Sequence, residues 1–266
     1  MHTKEEKLKA FGLLLDVLDT LREKCPWDRK QTNESLRCNT IEEVYELSDA
    51  LVKDDVANIR KELGDVLLHV AFYSKIADEK GEFDIADVCD SLTEKLIFRH
   101  PHIYGEVNAK TADDVADNWE QIKLKEKGGN KTVLSGVPAG MPALIKAYRI
   151  QEKTAHVGFD WEKPEQVWDK VKEEAAEVAE AIKGKNKDEI EAEFGDLLFS
   201  VVNAARLYDV VPENALERTN QKFIRRFGYL EQKAKEAGKS LKDMTLAEMD
   251  IYWNEAKTLE NRNELK

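Results

Sequence analysis

Two stretches decide the fold: Val171-Lys172-Glu173-Glu174-Ala175-Ala176-Glu177-Val178 and, a little further on, Ile190-Glu191-Ala192-Glu193-Phe194-Gly195-Asp196-Leu197. In a helix, residues three, four and seven apart share a face. Val171, Glu174 and Val178 therefore form one line, and Ile190, Glu193 and Leu197 another, each with a carboxylate among apolar neighbours. Glu177 and Asp196 follow three residues after Glu174 and Glu193. Two successive helices thus aim paired carboxylates at one inner surface. An ion buried without a partner costs several kcal/mol, on the order of the stability of a domain, so something must compensate. Bound metal, a basic salt network and a wet surface in place of a buried one are the three ways to do so.

The pattern occurs twice. Glu42-Glu43-x-x-Glu46 precedes Glu173-Glu174-x-x-Glu177 by 131 residues, and Glu62-x-Gly64-Asp65 precedes Glu193-x-Gly195-Asp196 by the same 131. Trp27-Asp28 is echoed by Phe159-Asp160, Lys95 and Arg99 by Lys222 and Arg226, and Trp119 and Lys123 by Trp253 and Lys257, with small drifts in offset. A constant period across half a chain is the mark of duplication.

Working outward, helical periodicity dominates and strand-like alternation is scarce. In the C-terminal half the spacing predicts helices over roughly 165–183, 188–208, 213–237 and 246–260, with Thr245-Leu-Ala-Glu248 a capping box at the last start. Gly128, Gly129, Gly136, Pro138, Gly140 and Pro142 read as a linker. The expectation is an all-α protein of tandem duplicated four-helix-bundle-like domains, 1–127 and 143–266, joined by 128–142.

Composition narrows the function classes. The 266 residues are 42% hydrophobic, enough for a packed core, and 35% charged. Lys and Arg number 41 against 53 Asp and Glu, a formal charge of −12. That sign disfavours non-specific binding to nucleic acid or anionic membranes. Three cysteines, Cys25, Cys38 and Cys89, make no disulfide framework. No apolar run is long enough to span a membrane. A cytoplasmic protein with no nucleic-acid or membrane partner is expected.

Other side chains carry candidate roles. Lys222, Arg225 and Arg226 share a helix face, as do Trp253 and Lys257. They suit phosphate and base contacts, or surface ion pairs beside a core tryptophan. His100-Pro101-His102 is not repeated after Arg226, where Phe227-Gly228-Tyr229 stands, so it is not expected to ligate a shared site. His69, at the position of Ser200, reads as a core histidine. With no phosphate-binding glycine loop and no nucleophilic triad, metal-driven chemistry is the more plausible kind.

These residues resemble the MazG nucleoside triphosphate pyrophosphohydrolases, whose mark is EExxE followed by ExxD on consecutive helices. The similarity extends over nearly the whole chain, including Cys25-Pro26-Trp27-Asp28, Arg99-His100-Pro101-His102 and Val157-Gly158-Phe159-Asp160-Trp161. It implies Mg²⁺-dependent hydrolysis of NTPs and dNTPs to the monophosphate and pyrophosphate, with Mn²⁺ able to substitute, in a homodimer. By resemblance, Glu174, Glu177, Glu193 and Asp196 are metal ligands, with Glu173 alongside; Glu173 or Glu174 is the expected acceptor of the attacking water's proton. Lys170, Lys222, Arg225, Arg226, Trp253 and Lys257 hold the nucleotide. Glu43, Glu46, Glu62 and Asp65 form a second possible metal site, although Asn39 replaces the counterpart of Lys170. The rival readings are a pyrophosphohydrolase for one nucleotide, phosphoribosyl-ATP or dUTP, and a non-catalytic helical scaffold.

Overall fold

The computed structural model describes residues 1–105, 122 and 132–262. Among them are ten α-helices and no strand. Packing divides the chain into two compact units, Met1–Ala116 and Asp117–Lys266. Trp119 and Lys123, read as counterparts of Trp253 and Lys257, lie outside the described residues, as does the first part of the expected linker. Residues 132–142 form turns and bends.

The N-terminal unit contains α1 (Lys4–Lys24), α2 (Asn33–Val52), α3 (Val56–Asp78), α4 (Ile85–Arg99) and the single turn α5 (Pro101–Tyr104). Its starts are sealed by side chains. Thr3 and Thr32 make reciprocal capping bonds with Glu6 and Ser35, and Asp84 does so with Asp87. Leu18 of α1, Leu36 of α2, and Ala71, Phe72 and Ile76 of α3 form the core. Arg22 is buried beside them with its guanidinium satisfied: Nε donates to Glu79 Oε1 at 2.8 Å and Nη1 to the Gln31 carbonyl at 3.2 Å.

The C-terminal unit contains α6 (Ala143–Ala155), α7 (Val167–Gly184), α8 (Lys187–Leu207), α9 (Pro212–Glu236) and α10 (Leu246–Asn261). The last four match the sequence expectation to within a few residues. The first is an addition: from residue 143 onward the described residues form five α-helices where the periodicity suggested about four. Helix α6 packs against α8 and α9, α7 pairs with α8, and α10 lies on α9.

The duplication extends to backbone geometry. Asp54 and Lys185, 131 residues apart, both take the left-handed conformation (φ 53° and 60°) in the turn between the two carboxylate helices. The next residues, Asp55 and Asn186, both cap the following helix with side-chain oxygens. Neither left-handed residue is glycine, so the tight helix connection itself imposes the conformation. It holds α7 beside α8, as it holds α2 beside α3.

Candidate functional site

Burial bears out the helix phasing for Glu174 and Glu193, whereas Glu177 and Asp196, expected on the same inner surface, are exposed one step round each helix. Glu174 is 6% exposed and Val178 is buried beside it, with Val171, Ile190, Glu193 and Leu197 half-buried. In the C-terminal unit, one oxygen each from Glu174, Glu177 and Glu193 lie within 4.8 Å of one another. The N-terminal unit gathers Glu43, Glu62 and Asp65 in the same way. Between them, the two triads use all four positions of the repeated pattern. Asp196 and Glu46 stand outside their triads; Asp196 is exposed and lines the adjoining cavity.

Like charges this close resist joint ionisation. A hydrogen bond with Glu174, then desolvation and the charge of Glu174 and Glu193, raise the Glu177 carboxyl above its ordinary range. Desolvation first, and then Asp65, Glu46 and Glu62, do the same for Glu43. In the N-terminal triad, Glu62 is 5% exposed and its Oε2 is buried with no hydrogen-bond partner. An all-oxygen set of crowded carboxylates with an orphaned oxygen fits a hard divalent cation, Mg²⁺ or Mn²⁺, better than a site for zinc.

Each unit brings one lysine to its carboxylates, from opposite helices. Lys170 of α7 reaches Glu174 at 2.7 Å and Glu173 at 3.0 Å, and these bonds hold its ammonium far above the ordinary lysine range. Lys61 of α3 lies 2.8 Å from Glu62, 3.7 Å from Asp65 and 3.8 Å from Glu46. Asn39 occupies the Lys170 position in the first unit, and Ala192 the Lys61 position in the second. The cation has changed helix between the copies.

Beside the C-terminal carboxylates opens a cavity of about 560 Å³, a usual size for a small-molecule site. Lys170, Glu174 and Asp196 line it, together with apolar side chains including Phe159, Trp161 and Phe199. Phe159 and Trp161 come from the loop before α7, which Gly158 enters at φ 86°, where a side chain would be strained. Arg206 of α8 pairs with Asp160 of that loop. In the N-terminal unit Leu36 and Phe72 stand where Val167 and Asn203 line the cavity, and both belong to the core.

The remaining basic and aromatic candidates gather elsewhere, between α9 and α10. Arg225 Nη2 and Arg226 Nε donate to the two Glu260 carboxylate oxygens at 2.7 and 2.8 Å. Arg226 sits 5.8 Å over the Trp253 ring, which also packs on Phe223. Lys222 is half-buried on α9 and Lys257 is exposed on α10. None of these five lines the cavity. His69 is buried with Nδ1 3.1 Å from Thr40 Oγ1, and desolvation lowers its pKa, as suits a core histidine.

Comparison with known proteins places these helices. The model of the MazG nucleotide pyrophosphohydrolase domain matches residues 31–104 and again 162–229. The chain belongs to the MazG family. Both MazG matches contain a complete carboxylate pair of helices, while α6 and α10 lie outside them. Among MazG relatives, the nucleoside triphosphate pyrophosphohydrolase/pyrophosphatase MazG of Thermotoga maritima is 44% identical, over 94% of this chain and 98% of its own length. The nucleoside triphosphate pyrophosphohydrolase of Escherichia coli is 39% identical over 95% of this chain and 99% of its own. The protein YabN of Bacillus subtilis is 46% identical over 98% of this chain and 54% of its own.

The residues that spacing did not single out are Gln151, Asn203 and Arg206. They come from α6 and the second half of α8, outside the acidic pattern. The one sequence signal for this region is the echo of Trp27-Asp28 in Phe159-Asp160.

Proposed function

We propose that this nucleotide pyrophosphohydrolase cleaves nucleoside triphosphates between the α- and β-phosphates, releasing the monophosphate and pyrophosphate from its C-terminal unit. The carrying observation is the carboxylate triad beside a cavity of nucleotide-binding size. Glu174, Glu177, Glu193 and Asp196 are the residues that would hold Mg²⁺. A divalent cation bound there supplies charge neutralisation of the phosphates and acidifies a water.

The protein's own groups divide the rest. Lys170 stays protonated between Glu173 and Glu174 and offers its N–H donors to phosphate oxygens. Glu173 or Glu174 accepts the proton of the attacking water. The apolar walls of the cavity exclude water from the side away from the carboxylates. In the N-terminal unit, Glu43, Glu46, Glu62 and Asp65 retain a metal-binding donor set, with the core residues Leu36 and Phe72 at the positions of Val167 and Asn203.

Pyrophosphate release from a panel of NTPs and dNTPs, with Mg²⁺ and with EDTA, tests this. Release is expected from wild type with Mg²⁺, and its loss, by about 100-fold or more, in Glu177→Gln. Release that survives in Glu177→Gln moves the chemistry to the N-terminal carboxylates.

A further inference from the structure

The side chain this chemistry leaves unexplained is Gln151. It sits on α6, is 5% exposed, and lines the cavity that Lys170, Glu174 and Asp196 also line. Its Nε2 donates to the Phe199 carbonyl of α8 at 2.8 Å. A carbonyl only accepts, so this bond fixes the amide: the nitrogen faces Phe199 and the oxygen must be Oε1. That oxygen is buried and has no hydrogen-bond partner. Buried acceptors are nearly always satisfied, and one that is not calls for a donor from outside the chain.

The neighbouring amide is fixed as well. Arg206 Nε and Nη2 both donate to Asn203 Oδ1, at 3.0 and 2.8 Å, and Asn203 also lines the cavity. Around these two amides the walls are apolar and aromatic. A triphosphate gripped by Lys170 and the carboxylates carries its base into this part of the cavity, where Phe159, Trp161 and Phe199 can cover a flat ring.

We infer that Gln151 is the base-reading residue, its Oε1 accepting from the exocyclic amino group of adenine or cytosine. The inference rests on the nucleotide reading above. It makes the enzyme discriminate by a hydrogen bond, which rejects analogues lacking the donor far better than apolar contact rejects a change of size.

The test pairs each nucleotide with its counterpart lacking only the amino group: ATP with purine riboside triphosphate, and CTP with 2-pyrimidinone riboside triphosphate. Wild type should show kcat/KM at least tenfold higher for one or both amino-bearing members. In Gln151→Met, which keeps the length and loses the acceptor, that ratio should fall to within threefold of one. A wild-type ratio near one in both pairs overturns the inference, as does a preference that survives in Gln151→Met. Binding of the α,β-methylene analogues of the same nucleotides to wild type reads the preference without turnover or a variant. No hydrolysis of any nucleotide would sink the functional reading alone. Equal binding of the methylene analogues would sink the role of Gln151 alone.

Discussion

At the scale of single residues, the two copies differ most informatively in where they keep their lysine. Lys61 brings an ammonium to Glu46, Glu62 and Asp65, an arrangement that competes with a metal ion for the same oxygens. Its side chain is 61% exposed, so the pairs are individually weak, but three carboxylates share one cation. In a chain whose C-terminal cluster is disabled by Glu177→Gln, Lys61→Ala should tighten Mn²⁺ binding severalfold by titration calorimetry; unchanged affinity would show that Lys61 does not contest the site. The carboxylates themselves were legible because acids placed twice, in one register, on apolar helix lines need a compensating charge at the same spot in both copies. Gln151 was not: its meaning depends on a carbonyl 48 residues away, and no local spacing reports that distance. Arg225 and Arg226 were legible as a basic face, but their pairing with Glu260 depends on how α10 lies on α9.

At the scale of elements, the capping box of α10 offers a clean pH test. Lys239, and then the Thr245 backbone and hydroxyl, hold the Glu248 carboxyl down at about 2 from an ordinary 4.5. A lowered pKa means that the native state prefers the ionised form. The contribution is therefore present above pH 4.5 and lost as pH falls from there toward 2. Wild type should lose more thermal stability over that window than Glu248→Gln, and parallel Tm-against-pH curves would refute the assignment. The start of α10 was readable because Thr and Glu three residues apart have a local geometric meaning. Helix α6 is hidden by comparison. It begins after Pro142 without a side-chain cap, directly behind a run of glycines and prolines, so no local signal marks its start.

At the scale of the whole molecule, the duplication repeats a surface as well as a site. Leu63, Leu67 and Val70 on α3 are exposed, and so are Phe194, Leu198 and Val201 at the equivalent positions on α8. Apolar side chains four and three residues apart form a stripe on each helix, and such stripes mark association surfaces. The homodimer that the family resemblance implies would have a surface here to use. Leu198→Glu combined with Phe194→Glu should shift the species seen by light scattering toward the monomer, whereas an unchanged mass would place any dimer contact elsewhere. The two-unit plan was visible as a constant offset. The difference between the units beside their carboxylates was not, because Asn203 and Phe72 declare it only once the surrounding helices are packed.

The loop ahead of α7 has a last consequence for traffic into the site. Phe159 is 81% exposed and Trp161 39%, so packing does little to pin this segment. Its tie to α8 is the pairing of Arg206 with Asp160, whose carboxylate also receives the Trp161 amide. Parting that ion pair would loosen the aromatic wall from α8, with the Phe159 N–H still bonded to the Thr154 carbonyl of α6 as its pivot, while α7 and α8 stay in register. A bulky visitor can then come and go through a hinged doorway, and the helical frame need not breathe to admit it.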